Sequence, residues 1–290
     1  MNVIQHRRED APGVVEQLIS HPATRKVNFT GSTPVGSIIA KLCGQHLKPV
    51  LLELGGKAPQ IVLEDADLQK AAQAAVAGAW AHVCLSQNSK LMMQQGQICM
   101  STEKIIVMRS IANEFRQALL AVAKNLTVMS GPNAMEATVT KVQGLVDDAV
   151  KKGAKLEFGQ NKIKGGNKQH LEQMILSNVS PGMDIYHTET FGPVSTFIEV
   201  DSVEEAIRVA NDTEYGLSAS VFSRDLSKAI QIARRIESGA VHINGMTVHD
   251  ENSLPHGGWK KSGYGRFGSR YGFDEFLQTK TITIKFNEPL

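Results

Sequence analysis

The sequence has little of several features that would define other classes of protein. Its 290 residues include three cysteines, Cys43, Cys84 and Cys99, which are too few and too scattered for a disulfide framework. No Cys-x-x-Cys pair indicates a zinc site, so no metal is expected. The formal net charge of +2 gives no electrostatic reason to expect nucleic acid or an acidic membrane as a partner.

Long apolar runs are missing as well. The stretch over residues 71–85 is too short to span a bilayer and contains Gln73 and His82. The first ten residues lack the apolar segment of a secretory signal. With so few cysteines, a reducing compartment follows, and we expect a cytosolic protein.

What the sequence does contain is an alternation of strand-like and amphipathic helical stretches. It predicts a largely parallel α/β architecture in one or two domains. Strands are predicted over 27–30, 49–54, 105–108, 155–158, 193–200, 218–222, 240–244 and, as an exposed strand, 279–286. Helices are predicted over 34–45, 66–81, 112–124, 139–152, 202–210 and 226–237, with a polar loop over 159–169.

Two motifs contain groups suited to covalent catalysis. Glu53 lies in Leu-Glu-Leu-Gly-Gly-Lys at residues 52–57, at the end of a predicted strand. Cys99 lies in Gly-Gln-Ile-Cys-Met-Ser at residues 96–101. A thiol can attack a carbonyl carbon, and a carboxylate can deliver water to the resulting acyl-enzyme. Taken singly, Cys99 is also compatible with an inert buried thiol and Glu53 with a solvated carboxylate.

Two further motifs indicate ligand contacts. Gly31 and Ser32 lie between a predicted strand and a predicted helix, where exposed N–H groups attract phosphate, although an ordinary N-cap explains the same residues. The run His-Thr-Glu-Thr-Phe-Gly-Pro-Val at residues 187–194 contains Glu189 and Phe191. A turn ending in Gly-Pro is the alternative reading of that run.

Together these four motifs resemble the NAD(P)-dependent aldehyde dehydrogenase superfamily. The resemblance implies a partial Rossmann-type coenzyme domain, an α/β catalytic domain and a C-terminal oligomerisation strand. It implies aldehyde oxidation, with Cys99 as nucleophile and Glu53 as general base, and it favours aromatic aldehydes or semialdehydes. For NAD or NADP, it implies that Gly31 and Ser32 contact phosphate, Leu54 and Gly55 lie near the nicotinamide, Glu189 binds the ribose hydroxyls and Phe191 packs beside the ring.

The resemblance also divides the chain. Residues 1–57 are expected to be a remnant of the coenzyme-binding domain, 58–252 the catalytic domain, 253–278 a return to the coenzyme domain and 279–290 an oligomerisation tail. A homo-oligomer, dimer or tetramer, follows from the tail. Asn244 is expected to support the catalytic loop, and His256 to line the substrate entrance or lie at the surface.

Three departures from the family pattern leave a second function open. The first portion of a usual family member is absent, residues 82–95 contain an apparent insertion, and the chain is shortened around 127–132. One hypothesis is an active dehydrogenase. The other is a non-catalytic fragment or pseudoenzyme that keeps the fold and the subunit contacts.

Overall fold

The computed structural model describes residues 2–80, 95–125, 136–163 and 171–285. In the first half of the chain, its helices and strands are α1 (Ala11–Ser20), β1 (Val27–Thr30), α2 (Thr33–Gln45), β2 (Val50–Glu53), β3 (Ala58–Val62), α3 (Leu68–Trp80), β4 (Thr102–Met108), α4 (Ala112–Asn125) and α5 (Glu136–Lys151). They are followed by β5 (Lys155–Phe158), β6 (Met174–Ser177), α6 (Asp184–His187), β7 (Val194–Val200), α7 (Val203–Asn211), β8 (Tyr215–Gly216), β9 (Ser218–Phe222), α8 (Leu226–Ala233), β10 (Ala240–Ile243), β11 (Trp259–Lys260), β12 (Gly263–Tyr264) and α9 (Ser269–Phe276).

The larger sheet has seven strands in the order β10-β9-β3-β4-β7-β6-β5. Neighbouring strands are parallel except for the antiparallel pair β5 and β6. Helices cover both faces: α5, α7 and α8 pack on one and α3 and α4 on the other. Ile106 points into the first layer and its neighbours Ile105 and Val107 into the second, as the two-residue period of a strand requires. The predicted α/β fold is confirmed.

A smaller sheet has three strands in the order β1-β2-β12. β1 and β2 are parallel, whereas β12 returns antiparallel to β2 from late in the chain. Its apolar cluster is formed by Ile19, Ile39, Cys43, Leu52 and Leu54, contributed mainly by α1, α2 and β2. This sheet therefore depends on far fewer buried side chains than the larger one.

Several sequence predictions need correction. The helix predicted over 226–237 ends at Ala233, and the strand predicted over 279–286 is absent from residues 279–285. Those residues are exposed, with Ile282 and Ile284 both more than 70% accessible. A strand needs a hydrogen-bonding neighbour, and within the described ranges the tail has none. Helices α1, α6 and α9 and strands β3, β6, β8, β11 and β12 were not predicted.

Some predictions fall outside the described residues. They concern Cys84, the segments 127–132 and 164–169, and nearly all of the apparent insertion at 82–95. Over the described part of the chain, no helix is both long and apolar enough to cross a membrane. The same residues contain no cluster of three or more His, Cys, Asp or Glu side chains that could hold a metal ion.

Candidate active site

Three connections meet where β3, β4 and β7 of the larger sheet begin. Residues 54–57 lead into β3, residues 96–101 into β4 and residues 188–193 into β7. Because these strands are parallel neighbours, their amino ends lie at one edge of the sheet. That edge is adjacent to the carboxyl end of β2, whose last residue is Glu53. The fold therefore brings together motifs that are far apart in the sequence.

Two glycines allow these connections to approach closely. A Cβ atom on Gly56 would lie 2.0 Å from the Cys99 carbonyl oxygen. A Cβ atom on Gly96 would lie 2.0 Å from the Gly192 carbonyl oxygen, and its φ of +72° also favours glycine. The Cys99 loop is thus held directly against both neighbouring connections.

The Cys99 thiol is partly buried and lies near two carboxyl groups. Burial, followed by the charges of Glu53 and Glu189, raises the pKa of this thiol to about 12. Hydrogen bonds from the backbone N–H groups of Cys99 and Met100 lower the pKa of the thiol, but by less. The thiol is therefore protonated at neutral pH, so its attack on a carbonyl requires transfer of its proton.

The Glu53 carboxyl group is 4% exposed and its two oxygens differ. Oε2 lies 3.0 Å from Nε2 of His256. Oε1 is buried and has no hydrogen-bond partner among the described residues. His256 is itself only 8% exposed, so the sequence expectation of a surface residue was wrong. The contact joins residues 203 positions apart, which no local pattern reveals.

Glu189 lies against the two glycines of the Glu53 motif. Its Oε1 accepts a hydrogen bond from the Gly56 N–H at 2.9 Å, and a Cβ on Gly55 would lie 2.6 Å from its Oε2. Burial, and secondly the charge of Glu103, raises the pKa of this carboxyl to about 7. Phe191, two residues later, has a φ of +50° and a partly exposed side chain.

A buried ion pair fixes the Glu189 segment. Lys57 Nζ lies 2.5 Å from Glu103 Oε2 and also donates to the Thr188 carbonyl. Glu103 in turn accepts hydrogen bonds from the backbone N–H groups of Thr190 and Phe191. The ion pair thereby holds residues 54–57, which follow β2, against residues 188–193, which precede β7. Sequence reasoning did not identify it, since a lysine and a glutamate at this distance give no motif.

Thr247 supports the Cys99 loop, which is the role that the sequence analysis expected of Asn244. Its hydroxyl donates to the Met100 carbonyl at 2.7 Å and contacts the Thr102 hydroxyl at 2.8 Å. Asn244 instead exchanges hydrogen bonds with the backbone of Ser223. Both residues follow β10, but the described side-chain bonds to the Cys99 loop come from Thr247 and not from Asn244.

The residues expected to contact phosphate precede helix α2. Gly31 and Ser32 are exposed. The Ser32 side chain makes no capping hydrogen bond to α2, which leaves its hydroxyl and the first N–H groups of the helix able to bind an anion. Thr33 Oγ1 accepts from the Gly55 N–H at 3.3 Å, connecting this turn to the Glu53 motif. Leu54 packs against Gly36, where a Cβ would lie 2.3 Å from its Cδ2.

A phosphate and the hydroxyls of a ribose could be held by these donors and acceptors. An anion-binding helix start and a partly buried carboxylate able to accept diol hydroxyls are connected through Thr33 and Gly55. Glu189, Ser32 and Gly31 are thus the described residues able to hold such a group.

Comparison with known proteins gives a consistent result. The family model of the aldehyde dehydrogenase family matches residues 1–282. The vanillin dehydrogenase of Pseudomonas sp. (strain HR199 / DSM 7063) is 46% identical over 295 residues, which cover 98% of this chain and 57% of that protein. The salicylaldehyde dehydrogenase of Pseudomonas sp. (strain C18) is 42% identical over 296 residues, covering 98% of this chain and 58% of that protein.

Solved structures show the same likeness. The salicylaldehyde dehydrogenase from Pseudomonas putida G7, complexed with salicylaldehyde, aligns with a TM-score of 0.88 at 42% identity, covering 98% of this chain and 57% of that one. The glyceraldehyde-3-phosphate dehydrogenase GapN from Methanocaldococcus jannaschii, complexed with NADP, aligns with a TM-score of 0.79 at 34% identity, covering 90% and 55%. The present chain spans a little over half the length of the relatives it matches.

Proposed function

The chain belongs to the aldehyde dehydrogenase family, and from that premise we propose that it oxidises an aldehyde to a carboxylic acid with NAD⁺ or NADP⁺ as hydride acceptor. One observation supports this most: a thiol, a buried carboxyl with a free oxygen and a second carboxyl meet at one edge of the larger sheet. These are Cys99, Glu53 and Glu189, and the charges of both carboxyls act on the thiol.

In the proposed reaction, Cys99 Sγ bonds to the carbonyl carbon of the aldehyde, its proton passes to water, and the carbonyl π pair moves to oxygen. The Cys99 backbone N–H is the proposed donor to the resulting oxyanion. When bound, the coenzyme takes up the hydride. Glu53 then accepts a proton from the water that attacks the acyl carbon, and the bond to Sγ breaks.

For the coenzyme, we propose that Gly31 and Ser32 contact phosphate and that Glu189 accepts the ribose hydroxyls. Leu54 and Gly55 would lie beside the nicotinamide, with Phe191 packed against the ring. The described geometry supports this assignment through the Ser32 hydroxyl, which makes no capping hydrogen bond, and the Glu189 carboxylate beside Gly55.

For the substrate, we propose an aromatic aldehyde. The support is the similarity to proteins named vanillin, salicylaldehyde and benzaldehyde dehydrogenase. The Pro-His-Gly-Gly-Trp-Lys segment at residues 255–260 places His256 beside Glu53.

The test uses the purified chain with NAD⁺ or NADP⁺ and a panel of aromatic and aliphatic aldehydes. We expect reduced coenzyme to form with an aromatic aldehyde and Cys99→Ala to abolish it. Cys43→Ala is the matched control, because Cys43 is the other free cysteine among the described residues and its buried thiol has no role in the proposed chemistry. Folded wild-type protein that forms no reduced coenzyme with any aldehyde would contradict the proposal.

A second candidate is a non-catalytic chain that keeps the fold and subunit contacts. The exposed apolar residues of α9 and the tail, including Phe273, Phe276 and Ile282, fit a surface that another subunit covers. Calorimetric titration with NAD⁺ and NADP⁺ separates the candidates, since only the active enzyme requires coenzyme affinity.

We also propose the domain division and the assembly that this family membership suggests. Residues 1–57 and 253–278 would form the coenzyme-binding part, residues 58–252 the catalytic domain and 279–290 the tail of a homodimer or homotetramer. The seven strands of the larger sheet all lie within 58–252, which supports the division. Light scattering tests the assembly, and deletion of 279–290 should reduce the measured mass to that of a monomer.

A reducing compartment such as the cytosol is proposed for its location. The proposed chemistry needs a free thiol at Cys99, and Cys43 and Cys99 are both free. Fractionation of the source cells tests this, and recovery in an oxidising compartment would contradict it.

A further inference from the structure

The two oxygens of the Glu53 carboxyl group have different environments. Oε2 contacts His256 Nε2 at 3.0 Å, whereas Oε1 is buried and lacks a partner among the described residues. A buried carboxylate oxygen without a hydrogen bond is costly. Oε1 is therefore the oxygen of Glu53 that is open to a further hydrogen-bond donor.

His256 is held in place by its own surroundings. Its backbone N–H and carbonyl are both bonded to Phe267, at 2.8 and 3.0 Å, and its ring lies 5.1 Å from the Phe267 ring. Because an ionised carboxylate can only accept, Nε2 must carry the hydrogen in the bond to Glu53. The ring is therefore a fixed donor presented to one oxygen.

The charged groups facing His256 are few. Glu53 on β2 lies at Nε2, and Asp250 Oδ1 lies 3.8 Å from Nδ1. Arg266 acts on it only through its charge, and Arg266 Nη1 donates to the Gly258 and Gly265 carbonyls. The hydrogen bond with Glu53 is the largest influence and raises the pKa of His256.

We propose that His256 is a positioning residue that binds Oε2 of Glu53 and so leaves Oε1 as the sole proton acceptor for the hydrolytic water. This inference rests on the proposed function and assigns His256 a role in hydrolysis of the acyl-enzyme. The hydrogen bond orients the carboxylate for hydrolysis of the acyl-enzyme. It contributes nothing to the attack of Cys99 on the carbonyl.

The proposed step is hydrolysis of the thioester on Cys99. The water oxygen bonds to the acyl carbon while Oε1 takes one proton of that water. The bond between the acyl carbon and Sγ breaks, and its electron pair stays on sulfur. Oε1 then returns its proton to Sγ, which restores the thiol and the carboxylate and releases the acid. His256 keeps its hydrogen throughout.

The experiment uses p-nitrophenyl acetate without coenzyme, because an ester acylates a thiol with no hydride transfer. Rapid-quench mass spectrometry follows the growth and decay of the acetyl adduct on Cys99. His256→Phe keeps a planar ring against Phe267 but removes the donor, and His256→Gln keeps an N–H donor. His249→Gln, a half-exposed histidine on the same connection, is the control.

We expect His256→Phe to slow decay of the adduct at least about tenfold, the effect of losing a hydrogen bond to a charged group. Its formation rate should change less than about twofold. His256→Gln should recover most of the decay rate, and His249→Gln should match the wild type. Thermal melting of each variant confirms that it is folded.

The possible outcomes distinguish failure of the proposed function from failure of the role proposed for His256. A wild-type chain that forms no adduct on Cys99 overturns the proposed function together with this inference. An adduct that decays equally fast in wild type and His256→Phe overturns this inference alone, as does a folded His256→Gln variant that is as slow as His256→Phe.

The contact itself has a test that needs no activity. In NMR titrations of the imidazole resonances, Glu53→Gln should lower the pKa of His256 and Asp250→Asn should lower it less, because Asp250 is the smaller influence. An unchanged His256 titration in Glu53→Gln overturns the inference.

Discussion

The seven-stranded sheet is covered by helices on both faces, whereas the three-stranded sheet packs on one small apolar cluster and has β1 at its edge. The proposed nucleophile, Cys99, precedes a strand of the first sheet. The proposed base, Glu53, ends a strand of the second. The chemistry therefore joins a well-buried region to a sparsely buried one, and local opening of the smaller sheet should separate the base from the thiol.

The sharpest test of this comparison removes one side chain from each sheet. Ile106→Ala in β4 should lower the free energy of unfolding by about 4 kcal/mol, since its site is enclosed on all sides. Leu52→Ala in β2 should cost less, about 2 kcal/mol, because the smaller cluster can collapse more easily. Denaturant unfolding measures both, and hydrogen exchange should show lost protection confined to β1 and β2 in Leu52→Ala. Equal losses in the two variants would contradict the comparison.

The next prediction concerns the buried ion pair between Lys57 and Glu103. Glu103→Gln leaves Lys57 buried without its carboxylate and should destabilise the protein by about 3 kcal/mol. It should also weaken coenzyme binding, because Glu103 holds the segment that contains Glu189. The control is Asp201→Asn, which breaks an exposed pair with Arg109 and should change little. Similar melting of the two variants would show that the buried pair has no special role.

Much of the larger sheet could be predicted from the sequence because its strands are short apolar runs between helices with clear periodicity. β3 was missed for a physical reason: Pro59 lies inside it and cannot donate a ladder hydrogen bond. The structure accommodates this proline with a register shift against β4 between Ala58 and Pro59. The 279–286 strand was predicted from alternation and from the family resemblance, and alternation indicates an exposed face but not the partner that a strand requires.

The site was predictable only as far as its motifs are local. Cys99, Glu53 and Glu189 each lie in a short recognisable run, and the fold brings these runs to one edge. His256, Lys57 and Glu103 act through contacts between distant segments, so their importance depends on the folded chain. Thr247 was not identified from the sequence, because only the folded chain shows that its hydroxyl bonds to the Cys99 loop whereas Asn244 bonds to Ser223.

The binding of coenzyme should depend on pH because of the environment of the Glu189 carboxyl group. Burial raises the pKa of this carboxyl to about 7, so it is ionised above that pH and neutral below it. Ribose hydroxyls donate best to the ionised form. Coenzyme affinity should therefore rise with pH and fall about tenfold for each unit below 7. Calorimetry between pH 5.5 and about 8 tests this, and Glu189→Gln should abolish the dependence. A wild-type affinity that stays constant over this range would refute the role of Glu189.

The smallest expected effect is that of changing Thr247, whose hydroxyl bonds to the Cys99 loop. Thr247→Val removes the buried bonds to Met100 and Thr102 and should cost about 1 kcal/mol. Thr247→Ser keeps the hydroxyl and should cost less. Chemical denaturation compares the two, and peptide mapping after alkylation reports whether the Cys99 thiol becomes more accessible. A valine variant as stable as the serine variant would mean that these bonds do not support the loop.

The most direct measurement traps the acyl group. Glu53→Gln protein is incubated with benzaldehyde and NAD⁺, and peptide mass spectrometry locates any benzoyl adduct. We expect the adduct on Cys99 to accumulate, because attack and oxidation remain possible while hydrolysis has lost its base. Folded protein with no adduct, or with the adduct on another residue, would contradict the pairing of this thiol with this carboxylate.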